Sequence, residues 1–195
     1  MSLKLIGGKY KNHTIKTPLG MLTKPTMSLM RKSVFDIIQD QIEEANFLDV
    51  FACSGAMGIE ALSRGASFST FIDNDRKAIK CIEENLKTLH LEKYGKAICG
   101  DAITILEKLN LAKKLFTIIY VDPPYTHIHK SGCSPTQLLH FFDQANLLQK
   151  EGRLFIEEGF PASLNIETLS LKTLSLKNTR KFSGSLLHQF IKIAG

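Results

Sequence analysis

The sequence predicts an α/β fold of Rossmann-like type: a seven-stranded sheet with crossover helices, preceded by a short basic β-hairpin. Three observations predict it. From residue 26 onward, apolar runs of strand length alternate with helical stretches, as a parallel sheet requires. The first of those strands ends in a run of small residues, the device by which such sheets receive a ligand beyond their strand ends. The length, 195 residues, suits one domain with a small appendage.

Taken in order, Leu3 to Tyr10 and Thr14 to Pro18 are strand-like runs around turn formers, which predicts a hairpin within an extension over 1–22 and leaves 23–195 for the α/β domain. Met30, Val34, Ile37, Ile38 and Ile42 make one apolar face of a helix, with Thr26 or Ser28 as its cap. Strands are expected at Phe47–Phe51, Phe68–Ile72, 96–99, Phe116–Val121 and Arg153–Glu157, with helices at 58–64, 75–89, 102–110 and 135–148 between them. Two later strands, near 164–176 and 185–193, complete seven. The segment Thr168–Lys172 is repeated at once in Thr173–Lys177; two copies of five residues are too few for a solenoid and read as a strand with a bulge.

The composition, 44% hydrophobic and 23% charged, is that of an ordinary globular protein. No leader and no membrane-spanning stretch is apparent, so a soluble, cytoplasmic protein is expected. Cysteines 53, 81, 99 and 133 form no CxxC or Cys/His finger pattern, which argues for reduced thiols and against structural zinc. The net charge of +6 is unevenly placed. Residues 1–35 and 168–195 together hold 12 basic residues and no acid, whereas the middle carries a charge of −6. Basic ends around an acidic middle suit a phosphate-rich partner, because clustered Lys and Arg release condensed counterions on binding.

Three strand ends carry candidate cofactor ligands. Asp49-Val-Phe-Ala-Cys-Ser-Gly-Ala-Met-Gly58 runs from a strand into a helix, and Asp49, Ala52, Cys53, Ser54, Gly55 and Gly58 let a ligand approach its backbone. As a dinucleotide fingerprint it fails, since Cys53 occupies the first glycine position. Asp73, with Asn74, closes the next strand, where a carboxylate can take both hydroxyls of a ribose or simply cap a helix. Asp101, with Ala102, ends the third; it can face an adenine amino group or cap the following helix. An adenosyl ligand without phosphates, S-adenosylmethionine, fits this set better than a nucleotide does.

Asp122-Pro-Pro-Tyr125 follows the most apolar strand. The prolines lack N–H donors and stiffen the chain, so their carbonyls are free to accept; Asp122 adds an acceptor and Tyr125 a flat face. Acceptors beside an aromatic plane are what an exocyclic amino group on a flipped base needs. Asp122, Pro123, Pro124 and Tyr125 are therefore the candidate catalytic residues. Glu157 either borders the same pocket or pairs with a surface cation. His127 and His129 are too few ligands for a metal, and none is expected.

With these motifs the chain resembles the bacterial 16S ribosomal RNA guanine-N2 methyltransferases, the RsmD-like family, over nearly its whole length. The matching runs are Ile6-Gly-Gly-Lys-Tyr10, Lys24-Pro-Thr26 with Arg31, Asp49 to Ala66, Asp122 to Tyr125, and Ile156-Glu157. The resemblance implies a class I S-adenosylmethionine-dependent methyltransferase fold and cofactor binding by Cys53–Gly58, Asp73 and Asp101. It further implies that Asp122–Tyr125 holds the target amine, the N2 of guanine 966 in 16S rRNA. Lys9, Lys11, Lys24 and Arg31, with Tyr125, are the candidate substrate contacts. The chain departs from the pattern at Cys53 and Lys24, where glycine and arginine are usual, at Leu29, where a second arginine would precede Arg31, and at Asp73, in place of glutamate. An adenine-N6 or glutamine-N5 methyltransferase, and a non-catalytic RNA-binding ribosome assembly factor, remain as alternatives.

Overall fold

The computed structural model describes residues 2–18, 25–124, 133–160, 162, 164 and 169–193. Its elements run β1 (Ser2–Lys4), β2 (Thr14–Lys16), α1 (Pro25–Ile37), β3 (Asn46–Val50), α2 (Ala56–Ser63), β4 (Phe68–Asp73) and α3 (Arg76–Thr88). They continue with β5 (Gly95–Cys99), α4 (Ala102–Leu111), β6 (Phe116–Val121), α5 (Pro135–Gln144), β7 (Leu148–Gly159), β8 (Leu174–Phe182) and β9 (Ser185–Lys192). β1 and β2 pair antiparallel. The other seven strands form one sheet in the order β5-β4-β3-β6-β7-β9-β8, with β3 to β7 parallel and β9 antiparallel to both of its neighbours. This is the α/β architecture with an N-terminal hairpin that the sequence predicts.

The central strands are buried on both faces, and their alternation sorts the core into two layers. Phe47, Phe71, Ile118, Tyr120 and Phe155 face one layer, with α1, the hairpin, Ile59 and Ile82. Leu48, Val50, Ile72, Ile119, Val121 and Ile156 face the other, against Leu106, Leu138 and Phe142. Local signals fix the helix starts. Asp75 accepts from Lys77 N at 2.8 Å ahead of α3, and Ser134 and Gln137 form a capping box before Pro135 of α5.

Several expected boundaries move. α1 begins at Pro25, so positions 26 and 28 lie inside it and not ahead of its first turn. Its buried residues include Met30, Val34 and Phe35, followed by Ile38 and Ile42, while Ile37 is half-exposed. α5 stops at Gln144 and β7 starts earlier than expected, because Leu148 pairs with Phe116 at the far end of β6. The strand expected near 164–176 is Leu174–Phe182. Its register slips between Leu176 and Asn178, a bulge in the second copy of the repeat, while the described residues of the first copy, 169–172, lie outside any strand.

The hairpin is pinned to the domain by buried polar groups. Asn85 of α3 pairs with Lys16 as a strand would, accepting from its N at 2.8 Å and donating to its carbonyl at 3.0 Å. Glu60 of α2, wholly buried, accepts from Ile6 N at 2.9 Å and from Arg64 Nε at 2.9 Å, and lies 3.7 Å from Arg31 Nε. Ser63 donates to the Gly7 carbonyl and accepts from Tyr10 N.

Candidate active site

The chain passes from β5 back across the sheet to β6, so β3 and β6 are the neighbours at which strand order reverses, where open α/β sheets bind ligands. A cavity of about 460 Å³ opens at the C-terminal ends of these strands. Three loops meet there, and hydrogen bonds fix each one.

The turn after β3 is held from two sides. Asp49, buried, accepts from Gly58 N at 3.0 Å, which ties the first turn of α2 back onto the strand. Gly55 starts that helix at φ 74°, in the left-handed region, and a Cβ on Gly58 would run into the Phe71 ring. Cys53, where a glycine is usual, takes φ 51°. A side chain in that conformation costs about 1–2 kcal/mol. Its N–H donates to Asp73 Oδ2 at 2.8 Å, and Asp75 N donates to Asp73 Oδ1 at 2.9 Å. Each Asp73 oxygen retains a second acceptor site.

The segment after β6 is attached to the same turn: Asp122 N donates to the Val50 carbonyl at 3.3 Å. Asp122, Pro123 and Pro124 line the cavity opposite Ala52, Cys53 and Ser54. Tyr120, two residues before Asp122 on the same strand face, donates its hydroxyl to Glu157 Oε2 at 2.8 Å. Strand alternation on Phe116–Val121 was the signal that could have revealed this pair, since Tyr120 must share a face with Asp122.

Four carboxylates thus line one cavity: Asp49, Asp73, Asp122 and Glu157. Burial pushes the Asp49 carboxyl up to about 7, against the Gly58 hydrogen bond, with Asp73 adding to the rise. Burial, then the Glu157 and Asp49 charges, hold Asp122 well above the usual carboxylate range. Burial and the neighbouring acids push the Cys53 thiol up to about 12. With Asp49 and Asp122 inclined to hold their protons, the lining offers neutral and charged acceptors and no cation but Arg31 to meet a phosphate. Such a set of acceptors fits S-adenosylmethionine, which carries ribose hydroxyls and an amino group to donate and a sulfonium in place of phosphates.

Of the expected cofactor residues, Asp49, Ala52, Cys53, Ser54, Asp73 and Asn74 come together on this cavity, with Gly55 and Gly58 shaping its turn. Asp101 and Ala102 stand one strand further along the same edge. Asp101 Oδ1 accepts from Thr104 N at 2.9 Å and Thr104 Oγ1 at 3.0 Å, the helix-capping reading of that residue. Lys9 and Lys11 are exposed on the hairpin. Arg31 is only 4% exposed: it lines the cavity and donates to the Lys4 carbonyl at 2.8 Å. Lys24, Tyr125, His127 and His129 lie outside the described residues. Sequence reasoning passed over Tyr120, Met30, Leu3 and Met57, which also line the cavity. Among the described residues no cluster of His, Cys, Asp and Glu could hold a metal, and no helix is long and apolar enough to cross a membrane.

Sheet order, the antiparallel β9 and an acid-lined cavity at the switch point define a class I S-adenosylmethionine-dependent methyltransferase. Within that class the chain belongs to the family described as Conserved hypothetical protein 95, whose model matches residues 3–187. It is similar to the Bacillus subtilis protein named "Putative rRNA methyltransferase YlbH", 32% identical over 96% of this chain and 98% of that one. It is 33% identical to the Ribosomal RNA small subunit methyltransferase D of Buchnera aphidicola subsp. Baizongia pistaciae, over 80% of this chain and 76% of the relative. Among solved structures, "Putative methyltransferase yhhF from Escherichia coli" superposes over the whole of both chains with a TM-score of 0.82 at 23% identity. SMU.776, a methyltransferase structure complexed with SAH, gives a TM-score of 0.72 at 12% identity, over 92% of this chain and 54% of the other.

Proposed function

We propose that this protein transfers methyl from S-adenosylmethionine to the exocyclic N2 of a guanine in 16S rRNA, guanine 966, on an assembled or partly assembled small subunit. The observation that carries the amine assignment is the meeting of Asp122-Pro123-Pro124 with the Cys53–Asp73 turn in one cavity. The ribosomal RNA names of two relatives favour the substrate.

When bound, the cofactor supplies an electrophilic methyl on a sulfonium. Asp73 would take the ribose hydroxyls, and the small turn Ala52–Gly55 would admit the backbone-close part of the ligand, with Asp101 and Ala102 toward the adenine. Asp122 and the Pro123 carbonyl would accept from the amino hydrogens and favour the pyramidal, nucleophilic nitrogen. On gaining the methyl the nitrogen would lose a proton to water or to Asp122 in its ionised form; Asp122 need not be a strong base, because that proton becomes acidic only as the methyl arrives. Extruding the base costs a few kcal/mol, of which stacking on Tyr125 would return about 1–3 kcal/mol. Lys9, Lys11 and Lys24, on or beside the 1–22 extension, would hold phosphates, while buried Arg31 would act from the cavity wall.

The test is nucleoside mass spectrometry on rRNA after incubation of small subunits with protein and cofactor, and on rRNA from cells lacking the protein. N2-methylguanine should appear in the first and be missing in the second. Missing N6-methyladenine instead would transfer the assignment to adenine while sparing the amine chemistry.

A further inference from the structure

We propose that the far edge of the sheet, at the β8–β9 turn, is a second RNA-backbone contact, in which Arg180 and Lys181 bind phosphates flanking the target nucleotide and Phe160 stacks on a neighbouring base. The proposal rests on the RNA reading above.

Strand register brings this edge level with the reacting centre. Arg180 of β8 pairs with Leu187 of β9, Leu187 pairs with Glu157 of β7, and Val121 of β6 pairs with Ile156. One step further, Asp122 stands beside Glu157. Arg180, Leu187, Glu157 and Asp122 therefore form one row across the sheet, three strand spacings or about 14 Å long. Alternation gives all four the same face, that of α1 and the hairpin, where Leu187 and Tyr120 are buried. Arg180 confirms the face by donating from Nη1 to Ser33 Oγ of α1 at 2.7 Å. Met30 and Arg31, on the preceding turn of that helix, line the cavity.

Lys181, the next residue of β8, projects by the same alternation to the other face of this edge, where Phe160, 44% exposed and tied to the turn through its N–H to the Gly184 carbonyl at 3.4 Å, has its ring centroid 5.1 Å from Lys181 Nζ; the edge strand thus carries a cation on each side. Among the described residues no carboxylate pairs with Arg180 or Lys181. Acids next to them in the sheet are committed elsewhere: Glu157 to Tyr120, and Glu158 to His188 Nε2 at 2.8 Å and Leu164 N at 3.1 Å. An exposed aromatic plane beside one cation, with a second across the edge strand and no acidic partner for either, is the chemistry of single-stranded nucleic acid binding, stacking on the ring and charge on the backbone. An acidic protein segment would use the cations and leave the ring idle.

The test combines Arg180→Ala with Lys181→Ala, and separately replaces Phe160 by Ala and by Tyr. Methyl transfer and binding are measured on a 16S rRNA fragment or small ribosomal particle across a salt series, with S-adenosylhomocysteine affinity as a control. The double variant should raise KM for RNA about tenfold and lower the slope of log K against log salt by about 1.4, near 0.7 for each lost phosphate contact on a single strand. Phe160→Ala should raise KM without changing the slope, and Phe160→Tyr should restore it. Neutralising Lys113 and Lys150, exposed at the opposite end of the sheet, should change neither. Unchanged KM and slope in the double variant, with an active wild type, would overturn this surface alone. A wild type that binds cofactor but neither binds nor methylates RNA would overturn the RNA reading and this surface with it. Variants that lose affinity for polyglutamate but keep it for RNA would give the corner to an acidic protein partner.

Discussion

The backbone N–H of Cys53 donates to Asp73 Oδ2 at 2.8 Å, so the turn after β3 and the acid that ends β4 form one unit. Asp73 both shapes the turn and faces the cavity. Asp73→Ala is expected to weaken S-adenosylhomocysteine binding about 10- to 100-fold, since a hydrogen bond to a charged group is worth about 1.5–3 kcal/mol and 1.4 kcal/mol is tenfold. Asp73→Asn, which keeps one acceptor, should fall between. Calorimetric titration checks this; equal affinity in all three proteins would remove Asp73 from the ligand contacts.

Asp122→Ala should lower turnover by about 10²- to 10⁴-fold, the usual contribution of a positioned acid or base, while leaving RNA affinity largely intact. Tyr125→Phe should keep much of the activity and Tyr125→Ala lose most of it, because stacking needs the ring more than its hydroxyl. Single-turnover transfer of labelled methyl, alongside filter binding, separates chemistry from affinity. A fully active Asp122→Ala protein would sink the mechanism.

The Asp49 carboxyl is raised from an ordinary value near 3.8 to about 7, so between these values the folded state holds a proton that the unfolded chain has released. Its contribution to stability is therefore full below about pH 4, is lost as pH rises toward 7, and changes no further above that. Each pH unit crossed is worth about 1.4 kcal/mol. Asp49→Asn still offers an acceptor to Gly58 N and should flatten the fall, visible as urea midpoints that decline less from pH 4.5 to 7 than those of the wild type, with the raised Asp122 leaving the remainder. A wild-type midpoint that climbs over that range would contradict the assignment.

Glu60→Ala should destabilise the fold by about 3–5 kcal/mol, because it leaves the buried Arg31 guanidinium without its anionic neighbour and Ile6 N without an acceptor. Glu60→Gln, which retains the acceptor but not the charge, should cost less. Denaturant unfolding measures both, and proteolysis within residues 1–16 reports whether the hairpin detaches first. Wild-type midpoints in both variants would mean that Glu60 does not anchor the hairpin.

Much of the fold was legible because its signals are local. Short apolar runs between helical stretches located the parallel strands, and the Asp49–Gly58 and Asp122–Pro124 segments announced themselves by residue type alone. The boundaries that moved were those set by distant partners: Leu148 joins β7 because Phe116 lies beside it, and the repeat becomes a strand only in its second copy, where β9 offers a ladder.

The sequence by itself determined the order of elements, the small turn after β3, and the acids at strand ends, since each depends on residues within about one helical turn or strand length. Tertiary structure alone decided that β9 inserts antiparallel between β7 and β8, that Glu60 and Asn85 commit their side chains to hairpin backbone, and that Arg180 stands in a row with Asp122. Asn85 lies 69 positions from Lys16, and Arg180 147 from Ser33. No periodicity spans such separations. The pairings form because burying a polar group costs free energy unless it is hydrogen-bonded, and only the folded chain brings each partner within reach.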